Sequence, residues 1–195
     1  MPEEVSPRRR DAAATRQAIL ESAREAFARA GYDGVGVREI AAGAGVTAIL
    51  VNRYFGSKEQ LFQEVVVAAM NSPEVLRPDV INHKDIPRAL AETLVEHTAY
   101  GAPAPVGLLI LLRALSNPAA SRTAREQMEN HHHRQMADAI HGPHAAERAA
   151  LVLATVVGFQ VMRQMYGIDA LANANPEVLT DLLTAQLHQL FFPAG

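Results

Sequence analysis

Apolar residues recur along this chain at intervals of three and four, and strict alternation is nearly absent, so the pattern predicts helices throughout. From Asp11 to Ala30 the positions Ile19, Leu20, Ala23, Phe27 and Ala30 share one helical face, and Gly31 supplies a stop. A short helix is predicted over Val37 to Ala44 and a second opening after Thr47, whose hydroxyl suits an N-cap, with Gly45 breaking the two apart. Phe55 and Gly56 close it. Ser57 followed three residues later by Gln60 is a capping-box pattern, which opens a helix through Leu61, Phe62, Val65 and Val66 towards Met70. Asn71 to Lys84, with Pro73 and Pro78, reads as a linker. Beyond it Asp85 with Pro87, Pro103 with Pro105, Asn117 with Pro118, Pro143 with His144, and Asn175 with Pro176 mark the starts of five further helices. The expected fold is all-α: a three-helix head over residues 1–56, a connecting helix and linker over 57–84, and a helical body over 85–195.

The segment Val37 to Lys58 reads VREIAAGAGVTAILVNRYFGSK. Two short helices around a glycine turn have the spacing of a helix-turn-helix, in which the first helix braces the second and the second enters the DNA major groove. Ile40, Ala41, Ala44, Val46 and Val51 are small or branched and suited to the packed side. Thr47, Ala48, Asn52 and Arg53 are left for the outer face. The net charge is −3, and up to Met70 nine Lys/Arg are matched by nine Asp/Glu, so bulk charge does not announce a nucleic-acid binder. DNA contact must come from a local arrangement of cations.

Ile40-Ala41, Ala44-Gly45-Val46-Thr47, Tyr54-Phe55-Gly56-Ser57-Lys58 and Leu61-Phe62 resemble, in order and spacing, the signature of the tetracycline-repressor (TetR) family. The run Phe27-Ala28-Arg29-Ala30-Gly31-Tyr32-Asp33 resembles that family's first helix and its exit. Ser116 to Ala120 and Leu171 to Glu177 resemble a recurring TetR C-terminal domain. The resemblance implies that Thr47, Ala48 and Asn52 face bases or sugar-phosphate with Arg53 beside them. It implies that Tyr54 and Lys58 hold phosphates, and Arg38 and Arg16 are placed to anchor the flanking backbone. Asn52 stands where the family commonly has tyrosine or histidine, and Ile49 and Leu50 replace its frequent glycine and threonine. An asparagine can pair bidentately with adenine, so an adenine opposite Asn52 is one expectation.

In the body, Ala149 to Met162 is apolar nearly all round, which demands a core on one side and a partner on the other. The final helix, with Leu179, Leu182, Leu183, Leu187 and Leu190 on one side, is the natural neighbour. Doubling the pair across a two-fold axis makes a four-helix homodimer interface, here expected at Leu153, Val157, Val161, Leu179, Leu183 and Leu187; the resemblance implies the same arrangement. Two heads then meet two half-sites of a near-palindromic operator. The resemblance further implies a pocket for a small apolar ligand that releases the operator, and Leu94, Tyr100, Leu108, Leu112, Met128, Phe159, Met162 and Tyr166 are its candidate lining.

The remaining chemistry narrows the alternatives. The 195 residues contain no cysteine, which removes disulfides, thiolate metal sites and a cysteine nucleophile. No cofactor is expected. His131, His132 and His133, with His141 and His144 nearby, read as a solvated polar face in preference to a metal site. No glycine-rich phosphate loop, nucleophile elbow or HExxH pattern argues for an enzyme. Met1 to Arg10 lacks the apolar run of a secretory signal, and the apolar stretch between Arg148 and Arg163 is shorter than the roughly 20 residues that cross a bilayer, so a cytoplasmic protein without membrane contact is expected. The competing reading is an all-helical ligand-binding or interaction protein without operator binding.

Overall fold

A computed structural model describes residues 7–70 and 75–193, with side chains from Asp11 onward; the basic run Arg8 to Arg10, expected to lie in an N-terminal arm, has side chains outside the described residues. Among the described residues every regular element is helical. The helices are α1 (Pro7–Ala30), α2 (Val37–Gly43), α3 (Ala48–Phe55), α4 (Lys58–Met70), α5 (Pro78–Ile81), α6 (Ile86–His97), α7 (Val106–Ala114), α8 (Pro118–Met128), α9 (Arg134–Ala139), α10 (Ala145–Gln160), α11 (Asp169–Ala172) and α12 (Pro176–Phe191). Wide π-helical turns at Glu129–His133 and Val161–Met165 extend α8 and α10. Backbone contacts divide the chain into two units: residues 1–69 with 106–125, and residues 70–105 with 126–195.

The first unit is built around α1. Ile19, Ala23 and Phe27 on its inner face are wholly buried with Ile40, Leu61 and Val65. Three aromatic rings lock this core, Phe62 meeting Phe27 and Tyr32 edge-on at 5.1 Å each. Such pairs add about 1 kcal/mol beyond the area they bury. α2 approaches α1 so closely that a side chain at Gly43 would overlap the Ser22 hydroxyl, which donates to the Ile40 carbonyl at 2.8 Å. The end of α2 is a Schellman turn: Val46 N–H donates to the Ala41 carbonyl at 2.9 Å and Gly45 N–H to Ala42 at 3.1 Å. Gly45 sits at φ +67°, a left-handed conformation that costs other residues about 1–2 kcal/mol.

In the second unit α6 packs along α12, with Leu90, Ala91 and Leu94 buried with Leu179, Leu183 and Leu187. Asp85 and Asn175 cap α6 and α12, their side chains accepting from the Arg88 and Glu177 N–H groups. Residues 75–84, read from sequence as linker, instead carry Val75, Leu76, Val80 and Ile81 into this core and include α5; apolar burial outweighs the punctuation of Pro78. The five expected body helices are present as α6, α7, α8, α10 and α12; α8 runs on through the histidines to the end of α9, since no proline or glycine interrupts Pro118 to Ala139, and the four-residue α5 and α11 are additional.

Buried polar groups hold the helix ends. Arg148, buried near the start of α10, donates to the carbonyls of Leu190 at 3.1 Å and His141 at 2.5 Å, tying the last turn of α12 to the loop before its own helix. Burial pushes the Arg163 guanidinium down from its usual range, and the carbonyls of Val95 at 2.6 Å and Leu171 at 3.0 Å compensate it. With its π turn, α10 reaches from Ala145 to Met165, 21 residues with an 18-residue window of mean hydropathy 1.4. This is longer than the stretch expected, and long and apolar enough to cross a bilayer by length and composition alone; here its inward side, including Val152, Val156 and Phe159, forms core.

The histidine run is not the uniformly solvated face expected. Its π turn rotates His132 inward, buried and with Nδ1 lacking a partner among the described residues, while His133 meets the Ala146 carbonyl at 2.9 Å. Burial first, and the neighbouring His131 second, push the His132 imidazole down from its ordinary value. The folded chain thus takes up a proton at this ring less readily than the unfolded chain, which does so near pH 6.5. Stability is therefore lost as pH falls through that value and until the folded group itself protonates. The melting temperature of the native protein should drop more between pH 7.5 and 5.5 than that of His132→Phe; parallel pH profiles would refute this.

Candidate nucleic-acid interface

α3 is divided by its surroundings into two faces. Val51 and Phe55 are buried in the first unit's core, and Leu50 and Tyr54 are half-buried beside them. Ile49, Asn52 and Arg53, spaced three and four apart, are exposed on the opposite side together with Thr47. The Thr47 side chain caps the helix, accepting from the Leu50 N–H at 3.4 Å, as its position in the sequence predicts. Ala48 is half-buried in the first turn. The result is an eight-residue helix held from behind, presenting an amide, a guanidinium and a branched aliphatic group outward.

The exit from α3 is equally constrained. Gly56 is at φ +77°, and any side chain there would overlap the Gln60 amide. That amide is engaged: Ser57 N–H donates to Gln60 Oε1 at 3.0 Å and Gln60 N–H to Ser57 Oγ at 3.1 Å, the reciprocal capping box read from the sequence. α4 thus starts at a fixed point beside α3. Its first residue, Lys58, is half-buried with Nζ 4.4 Å from the centre of the Tyr32 ring. Burial, aided by the Glu59 and Asp33 carboxylates, pushes the Tyr32 phenol up, so the ring is neutral and offers its π face to the ammonium.

The other cations differ. Arg38 on α2 and Arg53 are exposed and form no ion pair among the described residues. Arg16, expected to anchor flanking DNA backbone, is directed at Glu64 on α4 and lies 4.8 Å from the Phe55 ring centre. Its guanidinium is engaged within the head, clamping α1 to α4. Ile49, 80% exposed, belongs to the outer face although the sequence reading placed it only among departures. The signal was available: position 49 lies one turn before Asn52 and Arg53.

Residues 19–65 match the family model described as "Bacterial regulatory proteins, tetR family", and residues 84–191 match "Tetracyclin repressor-like, C-terminal domain". The chain belongs to the TetR family. Solved TetR-like folds agree. A TetR-family regulator from Streptomyces coelicolor A3 is 24% identical, with a TM-score of 0.52 over 92% of this chain and 95% of that one. One from Rhodococcus sp., described as a putative TetR-family transcriptional regulator, is 17% identical with a TM-score of 0.68 over 92% and 99%. The multidrug binding protein EbrR, complexed with ethidium, is 20% identical with a TM-score of 0.63 over 88% and 97%. Comparison with curated protein sequences gives no match. This TetR protein is accordingly a transcription regulator with a DNA-binding helix-turn-helix and not an enzyme.

The body residues singled out from sequence fall differently. Leu153, Leu179, Leu183 and Leu187 are buried in the core of their own unit, and Val157 and Val161 are half-buried. A helix apolar all round does not reveal which side faces home. The outward apolar side chains include Leu151, Met162 and Met165 on α10 and its π turn, with Val178 and Leu182 on α12. Of the candidate ligand residues, Leu94 and Phe159 are core, Met128 packs partly against it, and Tyr100, Met162 and Tyr166 are exposed. Leu108, buried, and Leu112, half-buried, belong to α7 in the first unit, so the eight do not form one set within a unit. A shallow recess of about 330 Å³ in the second unit is bordered by Asn82, His83, Gln135 and Asp138 and contains none of them.

Lys58 offers a direct check of phosphate holding. Lys58→Ala should weaken binding to every duplex sequence alike and lower the salt slope by about one for each protomer bound. A loss confined to one sequence would contradict the role.

Proposed function

We propose that this TetR protein is a repressor that binds a near-palindromic operator as a homodimer and is released by a small apolar ligand. The observation that carries the reading is the outward face of α3: Asn52 and Arg53 stand exposed beside the capped Thr47, on a helix whose inner residues are locked in the head. Arg38, Ala48, Tyr54 and Lys58 complete the proposed contact set, with phosphates for the cations and Tyr54. Arg16 serves it from behind by clamping α4.

Pairing is assigned to the exposed apolar face of the second unit. Leu151 and Met162 on the long helix, with Ala154 and Gly158 between them, are exposed, as are Val178 and Leu182 on α12, which packs against α10. Gly158 has open space where a side chain would be, which suits close approach of a second helix. Leu182 is 63% exposed in the single chain. Two copies of this helix pair would cover it and fix the separation of two α3 helices on DNA. Ligand release rests on the body's likeness to EbrR, a fold solved with ethidium and with imidazole. A ligand shifts the population only as far as its affinities for the two states differ.

Selection from a pool of randomised duplexes tests the reading. The protein should recover a site with two related half-sites, bound with steep salt dependence. Leu182→Glu should sediment as a monomer and lose that site while keeping its helical circular dichroism. Failure to enrich any sequence, or a full-strength Leu182→Glu dimer, would overturn the corresponding part.

A further inference from the structure

Ile49 gains nothing from its place in the folded head. It is 80% exposed, the largest exposure among the big apolar side chains of the described residues. A β-branched residue is also a poorer helix former than alanine, so local stability does not favour it at the second position of α3. Its value must come from something that covers it. On the proposed reading that α3 enters an operator, the covering surface is the floor of the major groove. The edges of bases there are polar, with one exception: the C5-methyl group of thymine.

The geometry supports this assignment. Ile49 shares its face with Asn52 three residues on, an axial offset of about 4.5 Å, on the order of one base-pair step. Its χ1 is stiff because both branches leave Cβ, so it offers a fixed apolar shape. We propose that Ile49 is a specificity-determining residue that covers a thymine methyl, within about two base pairs of an adenine met by the Asn52 amide. Each half-site therefore carries A·T pairs under the first two turns of α3. The glycine frequent at this position in the family has no side chain with which to make such a contact.

Deoxyuridine removes the thymine methyl and leaves every hydrogen-bonding group in place. The experiment takes the operator recovered with the full-length protein and replaces its thymines one at a time by deoxyuridine, measuring affinity for native protein and Ile49→Ala. One thymine per half-site should show about a fourfold loss for the native protein, the scale of a single buried methyl group. Changing both half-sites should give about sixteenfold. Ile49→Ala should bind the thymine and uracil operators equally while retaining its discrimination at the adenine. Uracil tolerated at every position, or an undiminished penalty in Ile49→Ala, would overturn the thymine assignment and leave operator binding intact. Recovery of no operator would instead fail the underlying reading and this assignment with it.

Discussion

The anchoring of α3 by Val51 and Phe55 is the constraint on which the rest depends. An eight-residue helix has too few internal hydrogen bonds to persist alone, so its existence and its orientation both come from tertiary packing. Burial of those two side chains fixes the rotation of the helix about its axis. Once it is fixed, Ile49, Asn52 and Arg53 have no direction but outward. The Schellman turn before the helix and the capping box after it then set its height, leaving only side-chain torsions free. A preorganised reading head spends little conformational entropy on meeting DNA.

Electrostatics in the head is arranged by position more than by amount. The chain as a whole is slightly acidic, and Arg16 is committed to Glu64. Arg24 and Arg29 are likewise paired, with Glu21 and Glu39, so that among the described residues a small set remains: Arg53 and Arg38 exposed, and Lys58 held over the Tyr32 ring at the start of α4. A cation supported by a ring keeps its charge and surrenders part of its freedom before any phosphate arrives. The Arg16–Glu64 contact was not legible in the sequence, since its partners lie 48 residues apart.

The helix-turn-helix was legible because its determinants are local. Gly45, Thr47 and the Ser57/Gln60 pair each act within a few residues, and each adopts the conformation its chemistry requires. In the body the same reasoning marked α10 as apolar on every side but not which of those sides is buried in its own unit. Along α10 an apolar residue occurs on every side, so Leu151 and Leu153 are equivalent in pattern and opposite in burial. The π turns add a further shift of register, turning His132 and Arg163 inward in a way no 3.6-residue period foretells. Pro78 suggested a linker where four apolar side chains in fact tie the segment to the core. Long-range burial decided these cases, and short-range chemistry decided the head.

The absence of native cysteine makes one measurement direct. With a single cysteine introduced as Asn52→Cys, thiol alkylation should be fast in the free protein and slow at least tenfold when duplex DNA saturates it, while Gln135→Cys in α9 keeps its rate. Equal reactivity at position 52 with and without DNA, under conditions where the complex is formed, would show that α3 does not enter the groove.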